Sequence, residues 1–200
     1  MSKYILINML KTTLETFKAI KTKPINEYSH SELGLAILLF VASVTVMTSL
    51  LVVAPGIGMM FKIFKTSSPY ERRKLKRTVF SLEKQGFLQY GSSDSLKLTT
   101  KGIQRAVYES LQIRKQTWDK RWRLVMFDIP ETKRGARIAL SRKIIEMGMR
   151  HVQDSVFISP YPCEEEITTA AKFLHVDKYI QLAVAISISD STKFKKEFDL

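Results

Sequence analysis

The chain has one cysteine, Cys163, and three scattered histidines, His30, His151 and His175, in 200 residues. A lone thiol excludes an intrachain disulfide and makes a reducing compartment the simpler assumption. Cys163 stands in Tyr-Pro-Cys-Glu-Glu-Glu, away from any histidine, and the acids that follow raise a thiol pKa rather than lower it, so it reads as structural. There is no CxxC pair, HExxH helix, P-loop or strand-linked GxGxxG, which leaves zinc, nucleotide and dinucleotide chemistry without a motif. No cofactor is expected. Acids are also scarce: 19 stand against 32 lysines and arginines, a formal net charge of +13.

That excess is local. Residues 60–150 hold 22 basic and 8 acidic side chains, and the rest of the chain holds 10 and 11. A concentrated positive field favours polyanions, because each neutralised phosphate releases condensed counterions. Elsewhere charge is missing altogether: Leu33 to Phe61 is 29 residues without one. About 20 apolar residues span a bilayer core, so Leu33 to Val53 is a candidate transmembrane anchor, too late in the chain for an ordinary signal peptide. Lys62, Lys65 and the basic residues from Arg72 to Arg77 would then place the C-terminal side in the cytoplasm, the anchor lying in a bacterial inner membrane. The competing reading makes the same run the first helix of a winged-helix domain. Its lack of a polar face argues against burial in so small a module. Before it, residues 4–21 have helical spacing and Pro24 ends them. The expected organisation is an N-terminal helical segment over 1–32, an apolar helix over 33–61, a winged-helix region and linker helix over 62–115, and a further α+β domain over 116–200.

In Thr66-Ser67-Ser68-Pro69, Ser68 is a candidate N-cap with Pro69 at the first helical position. The helix runs to about Lys84 and Gly86 stops it. At 100° per residue Leu75, Val79 and Leu82 share one face, while Arg73, Arg77 and Lys84 lie opposite, flanked by Arg72 and Lys76. One side packs and the other presents cations, as a major-groove recognition helix requires; a merely solvated basic face has the same charge pattern. Phe87 to Tyr90 and Ser95 to Thr99 read as strands joined at Gly91-Ser92-Ser93-Asp94. Helix then hairpin is the second half of a winged helix. From Ile103 to about Lys115 a linker helix follows. Arg72, Lys74, Lys76 and Lys101 are expected on phosphates, Arg73 and Arg77 on bases, with Lys84 and Lys97 nearby.

Residues 121–129 form a strand, Glu131 to Met147 a basic helix with Ile138, Leu140, Ile144 and Ile145 for packing, and Gly148 its stop. Strands at Arg150 to Gln153 and Val156 to Ser159, a helix from Glu164 to Leu174 and a strand from Tyr179 to Ile188 complete a β-α-β-β-α-β order, with a short charged tail. Phe127-Asp-Ile-Pro-Glu131, the following Arg134 and Arg137, and Ser155-Val-Phe-Ile-Ser-Pro160 carry a resemblance. They resemble the central domain of PaaX-type transcriptional repressors, a ferredoxin-like module shared with the CRISPR-associated endonuclease of spacer acquisition. The resemblance implies a winged helix followed by this module, a homodimer, double-stranded DNA as partner, and repression by promoter occupancy in the bacterial cytoplasm. It also implies a further C-terminal domain, which the 200 residues do not accommodate, so control by a phenylacetyl thioester is not carried over. The endonuclease resemblance implies an alternative in which Asp128 binds magnesium, a dimer pairing two such acids. An aspartate before a proline turn more often caps the next helix, and that is the expected role of Asp128.

Overall fold

The computed structural model describes residues 11, 12, 14, 15, 18, 24–47, 56–91 and 95–200. The helix expected over 4–21 falls largely outside them, as does the hairpin tip at 92–94. The chain divides into two units, Met1–Ser110 and Leu111–Leu200, and mixes helix with sheet, the expected α+β class.

In the first unit Ser29 opens α1 (His30–Met47): its Oγ accepts from the Glu32 amide, and its own N–H donates to Glu32 Oε2 at 2.7 Å, a capping box. The membrane expectation for Leu33 to Val53 is corrected here. Among the described residues no helix is long and apolar enough to cross a membrane; residues 48–53 lie outside them. Instead α1 packs on protein. Leu33 and every residue from Ala36 to Ala42 are buried, and Gly34 faces Leu82 and Thr78 of the helix over Pro69–Lys84, where even an added Cβ would make only ordinary contact at 3.7 and 3.8 Å. The run lacks a polar face because neighbours cover it on more than one side: the elements α3, β2 and α4 described next all pack on α1.

A short α2 (Ile57–Ile63) follows Gly56, which bridges antiparallel to Ser95. A turn through Lys65 leads to α3 (Pro69–Lys84), then the antiparallel strands β1 (Leu88–Tyr90) and β2 (Leu96–Leu98), paired Leu88 to Leu98, and α4 (Thr100–Ser110). The linker helix thus starts and stops earlier than its Ile103 to Lys115 expectation. Gly102 explains its early start. An added Cβ there would lie 2.1 Å from the Phe87 carbonyl oxygen, so only glycine lets α4 begin against β1.

The second unit is a four-stranded antiparallel sheet in the order β4-β5-β3-β6, formed by β3 (Trp122–Phe127), β4 (Arg150–Gln153), β5 (Val156–Ser159) and β6 (Ile180–Ala185). Between β3 and β4 a 3-10 turn, Glu131–Lys133, precedes α5 (Arg134–Glu146), and α6 (Glu164–Phe173) joins β5 to β6. Leu140 and Ile144 of α5 are buried, but Ile138 and Ile145, expected to pack, stay 40% and 51% exposed. The expected tail is a helix, α7 (Ser191–Glu197), because Phe194 and Phe198, one turn apart, close on Trp122 with ring centroids 6.3 and 6.2 Å away. Arg123, nearly buried, donates twice to Asp119 at 2.6 Å, and this pair draws the Asp119 pKa down to about 2.

The start of α3 is closed by reciprocal hydrogen bonds between Ser67, Ser68 and Glu71. Ser68 Oγ accepts from the Glu71 amide at 3.2 Å, and Glu71 Oε2 accepts from the Ser67 and Ser68 amides at 2.8 and 3.0 Å. Those amides hold the Glu71 carboxyl below the usual carboxylate range. Glu71→Ala is expected to lower the unfolding free energy by about 1–2 kcal/mol at neutral pH. A depressed folded pKa means this advantage is full above the ordinary carboxylate value and is lost as pH falls through the folded one. Urea titrations from pH 7 to pH 2 check it; a gap between the proteins that does not narrow in acid would contradict the assignment.

Candidate nucleic-acid interface

The faces of α3 separate cleanly. Glu71, Leu75, Thr78, Val79 and Leu82 are buried, and at 100° per residue they centre opposite a stripe of Tyr70, Arg73, Arg77, Phe80 and Lys84, all exposed. The helix stays in this setting because both ends are fixed. Beyond the N-terminal cap, Gly86 takes a left-handed φ of 75° so that the Phe87 amide can donate to the Leu82 carbonyl at 2.9 Å.

Arg73 and Arg77, the expected base readers, therefore sit together on the outward face, and with His30, Tyr70 and Lys74 they line a hollow of about 500 Å³. Arg72 and Lys76 flank the stripe on the other side, each over the Phe61 ring of α2 at 5.9 and 5.8 Å, so that both cations lean on an aromatic. Lys84 and Lys97 are exposed. Two expected phosphate contacts are engaged elsewhere. Lys74 turns inward, its Nζ donating to the Tyr28 and Asn26 carbonyls at 2.7 and 3.2 Å. Lys101 donates to the Gln85 carbonyl at 2.8 Å and lies over the Phe87 ring, closing the C-terminal end of α3. Sequence reasoning missed Tyr70 and Phe80, 61% and 63% exposed. The signal was present: the spacing 70, 73, 77, 80, 84 keeps both aromatics on the arginine face.

In the second unit the expected cap at Asp128 is corrected. The turn Glu131–Lys133 and α5 have no side-chain cap bond. Pro130 sets an extended entry, and it is the Asp128 backbone N–H that is used, donating to the Tyr179 carbonyl at 3.1 Å. The Asp128 side chain is exposed and lines a hollow of about 440 Å³ with Asp154, Lys178 and Tyr179. Sequence reasoning found no second acid for this place; the β4–β5 hairpin supplies Asp154. Among the described residues no three histidine, cysteine, aspartate or glutamate side chains gather as a metal site. Cys163 is buried, and burial first, then Glu164 and Glu166, pushes its thiol up to about 12, which leaves it an inert core residue.

Residues 115–196 match the family model described as the PaaX protein central Cas2-like domain. The second unit of this chain is therefore similar to the PaaX central domain, and the match does not extend into the first unit. No curated protein matches the chain.

The inward setting of Lys74 has a measurable consequence. Lys74→Ala should cost about 1.5–3 kcal/mol, the value of bonds made by a charged donor, whereas Lys76→Ala should stay within about 0.5 kcal/mol. Urea melts of the two variants check this, and equal melts would return Lys74 to the outward-facing cations.

Proposed function

We propose that the chain is a DNA-binding transcriptional regulator of the PaaX type, a repressor that acts by occupying its promoter. The first unit is its winged-helix reading module and the second a ferredoxin-like module through which it dimerises. One observation carries this: the outward stripe of α3 sets Arg73, Arg77 and Lys84 opposite the buried ridge of a helix capped at both ends. The order α1, α2, α3, hairpin, with Gly56 bridged to Ser95 beside β2, supports the winged-helix label. The strand order β4-β5-β3-β6 with helices after β3 and β5 supports the ferredoxin-like one. Arg72, Lys76 and Lys97 would neutralise phosphates, with Lys74 and Lys101 bracing the helix. Arg73 and Arg77 would pair with guanine edges. A two-fold homodimer would set two such helices on a palindromic site in double-stranded DNA, about one helical turn apart. Such work belongs to the bacterial cytoplasm.

The duplex is the test. Wild-type protein should select a preferred sequence from random double-stranded DNA, with affinity falling steeply as salt rises. Arg73→Ala with Arg77→Ala should lose about 1–3 kcal/mol for each base contact and flatten the preference. An unchanged preference in the double variant would remove α3 from the interface.

A second reading, a magnesium-dependent endonuclease using Asp128, gains from Asp154 in the same hollow, since Mg²⁺ is often held by one or two carboxylates and water. Lys178 lines the same hollow and adds a positive charge that works against a bound cation, its Nζ lying over the Tyr179 ring at 5.0 Å. We expect no cleavage of single- or double-stranded nucleic acid with Mg²⁺ or Mn²⁺ above a mock preparation. Asp128→Asn, being exposed and no cap, should keep its stability within about 0.5 kcal/mol. Metal-dependent cleavage abolished by Asp128→Asn would establish the endonuclease.

A further inference from the structure

Phe80 is a costly residue to leave in water. It is 63% exposed at the middle of the second half of α3, directly on the stripe that also carries Arg73, Arg77 and Lys84. It lies three positions after Arg77 and four before Lys84, so both cations stand within about one helical turn. Resting on the proposed DNA-reading function, we infer that Phe80 is a specificity-determining residue that contacts the C5-methyl group of a thymine in the major groove.

The argument is one of chemical complementarity. A phenyl ring has no hydrogen-bond donor or acceptor, so it cannot satisfy the N7, O6, O4, N4 or N6 edges that the major groove presents. The thymine methyl is the one apolar group there whose removal from water gains free energy against a ring. Cytosine in the same place would set its amino group against the ring and leave it unsatisfied. The surrounding charge selects the same occupant. The stripe is cationic along its whole length, and the single acid near it, Glu83, lies off to one side, about 60° around the helix from Phe80. An apolar protein surface would have to bury those cations without partners, whereas a groove walled by phosphates accepts them. The helical rise places Phe80 about 4.5 Å beyond Arg77 along α3. Base pairs are spaced about 3.4 Å apart, so the thymine lies one or two base pairs from the guanine read by Arg77.

The test uses the full chain and the highest-affinity duplex it recovers from a random-sequence library. Each thymine is replaced singly by uracil, which removes the methyl and nothing else. Wild type should bind about fourfold more weakly at one position per half-site, the value of burying one methyl-sized group, with 5-methylcytosine at that position restoring part of the loss relative to cytosine. Phe80→Ala should bind thymine and uracil duplexes equally with an unchanged salt slope, and Phe80→Leu should recover part of the discrimination. Exposure of Phe80 makes both variants near-neutral for folding, which thermal melts verify. Indifference of wild type to uracil, or discrimination that survives in Phe80→Ala, would overturn the inference while leaving sequence-selective binding intact. A Phe80→Ala variant with unchanged discrimination but an altered oligomeric state would reassign the ring to a protein contact. Failure to recover any preferred duplex would instead sink the DNA-reading function itself, and the inference with it.

Discussion

Glu71 holds the first unit's working geometry together. Its carboxylate collects the Ser67 and Ser68 amides while its own amide is taken by Ser68 Oγ. This fixes the rotation at which α3 leaves the preceding turn, and therefore which side chains meet α1 and which face outward. A helix whose start slipped by one residue would turn by about 100° and carry Arg77 toward the flank. At the other end Gly86 and the Lys101 to Gln85 bond stop unwinding from the C-terminus. Between these anchors the buried ridge of Leu75, Val79 and Leu82 supplies the adhesion to α1. Everything proposed about DNA rests on that fixed rotation.

The second unit is organised around β3. Its central place between β5 and β6 buries Trp122 on one face and Val125 and Phe127 on the other, with Phe127 stacked on Phe157 at 5.7 Å. Arg123, on the same strand, is admitted to the interior because Asp119 meets it bidentately and the Pro160 carbonyl accepts at 3.1 Å. The acid at the strand's end, Asp128, is left in the open. The likeness to the PaaX central domain covers this unit, so that likeness and the DNA-reading argument stand on different residues and can fail separately.

Local chemistry was legible in the sequence. The cap at Ser68, Pro69 at the first helical position and the stop at Gly86 depend only on nearby residues, and each appears as written. What was misread depends on neighbours far along the chain. The uncharged run from Leu33 resembled a membrane anchor because its sequence cannot show that α3, α4 and the hairpin pack on it. Lys74 looked like a phosphate contact until the segment before α1 supplied two carbonyls. Two phenylalanines among lysines hid α7 in an apparently charged tail, since the cluster of Trp122 and Ile158 that gives them a place to pack comes from distant strands. Asp154 comes to the same hollow as Asp128 through the pairing of the strands.

The central claim is that the outward face of α3 reads guanine from the major groove, and methylation interference on the selected duplex tests it most directly. Methyl groups placed on guanine N7 enter the major groove and should block wild-type binding at one or two guanines per half-site, with the block at one of them lost in Arg77→Ala. Interference confined to adenine N3 in the minor groove, or none at any base, would contradict the account.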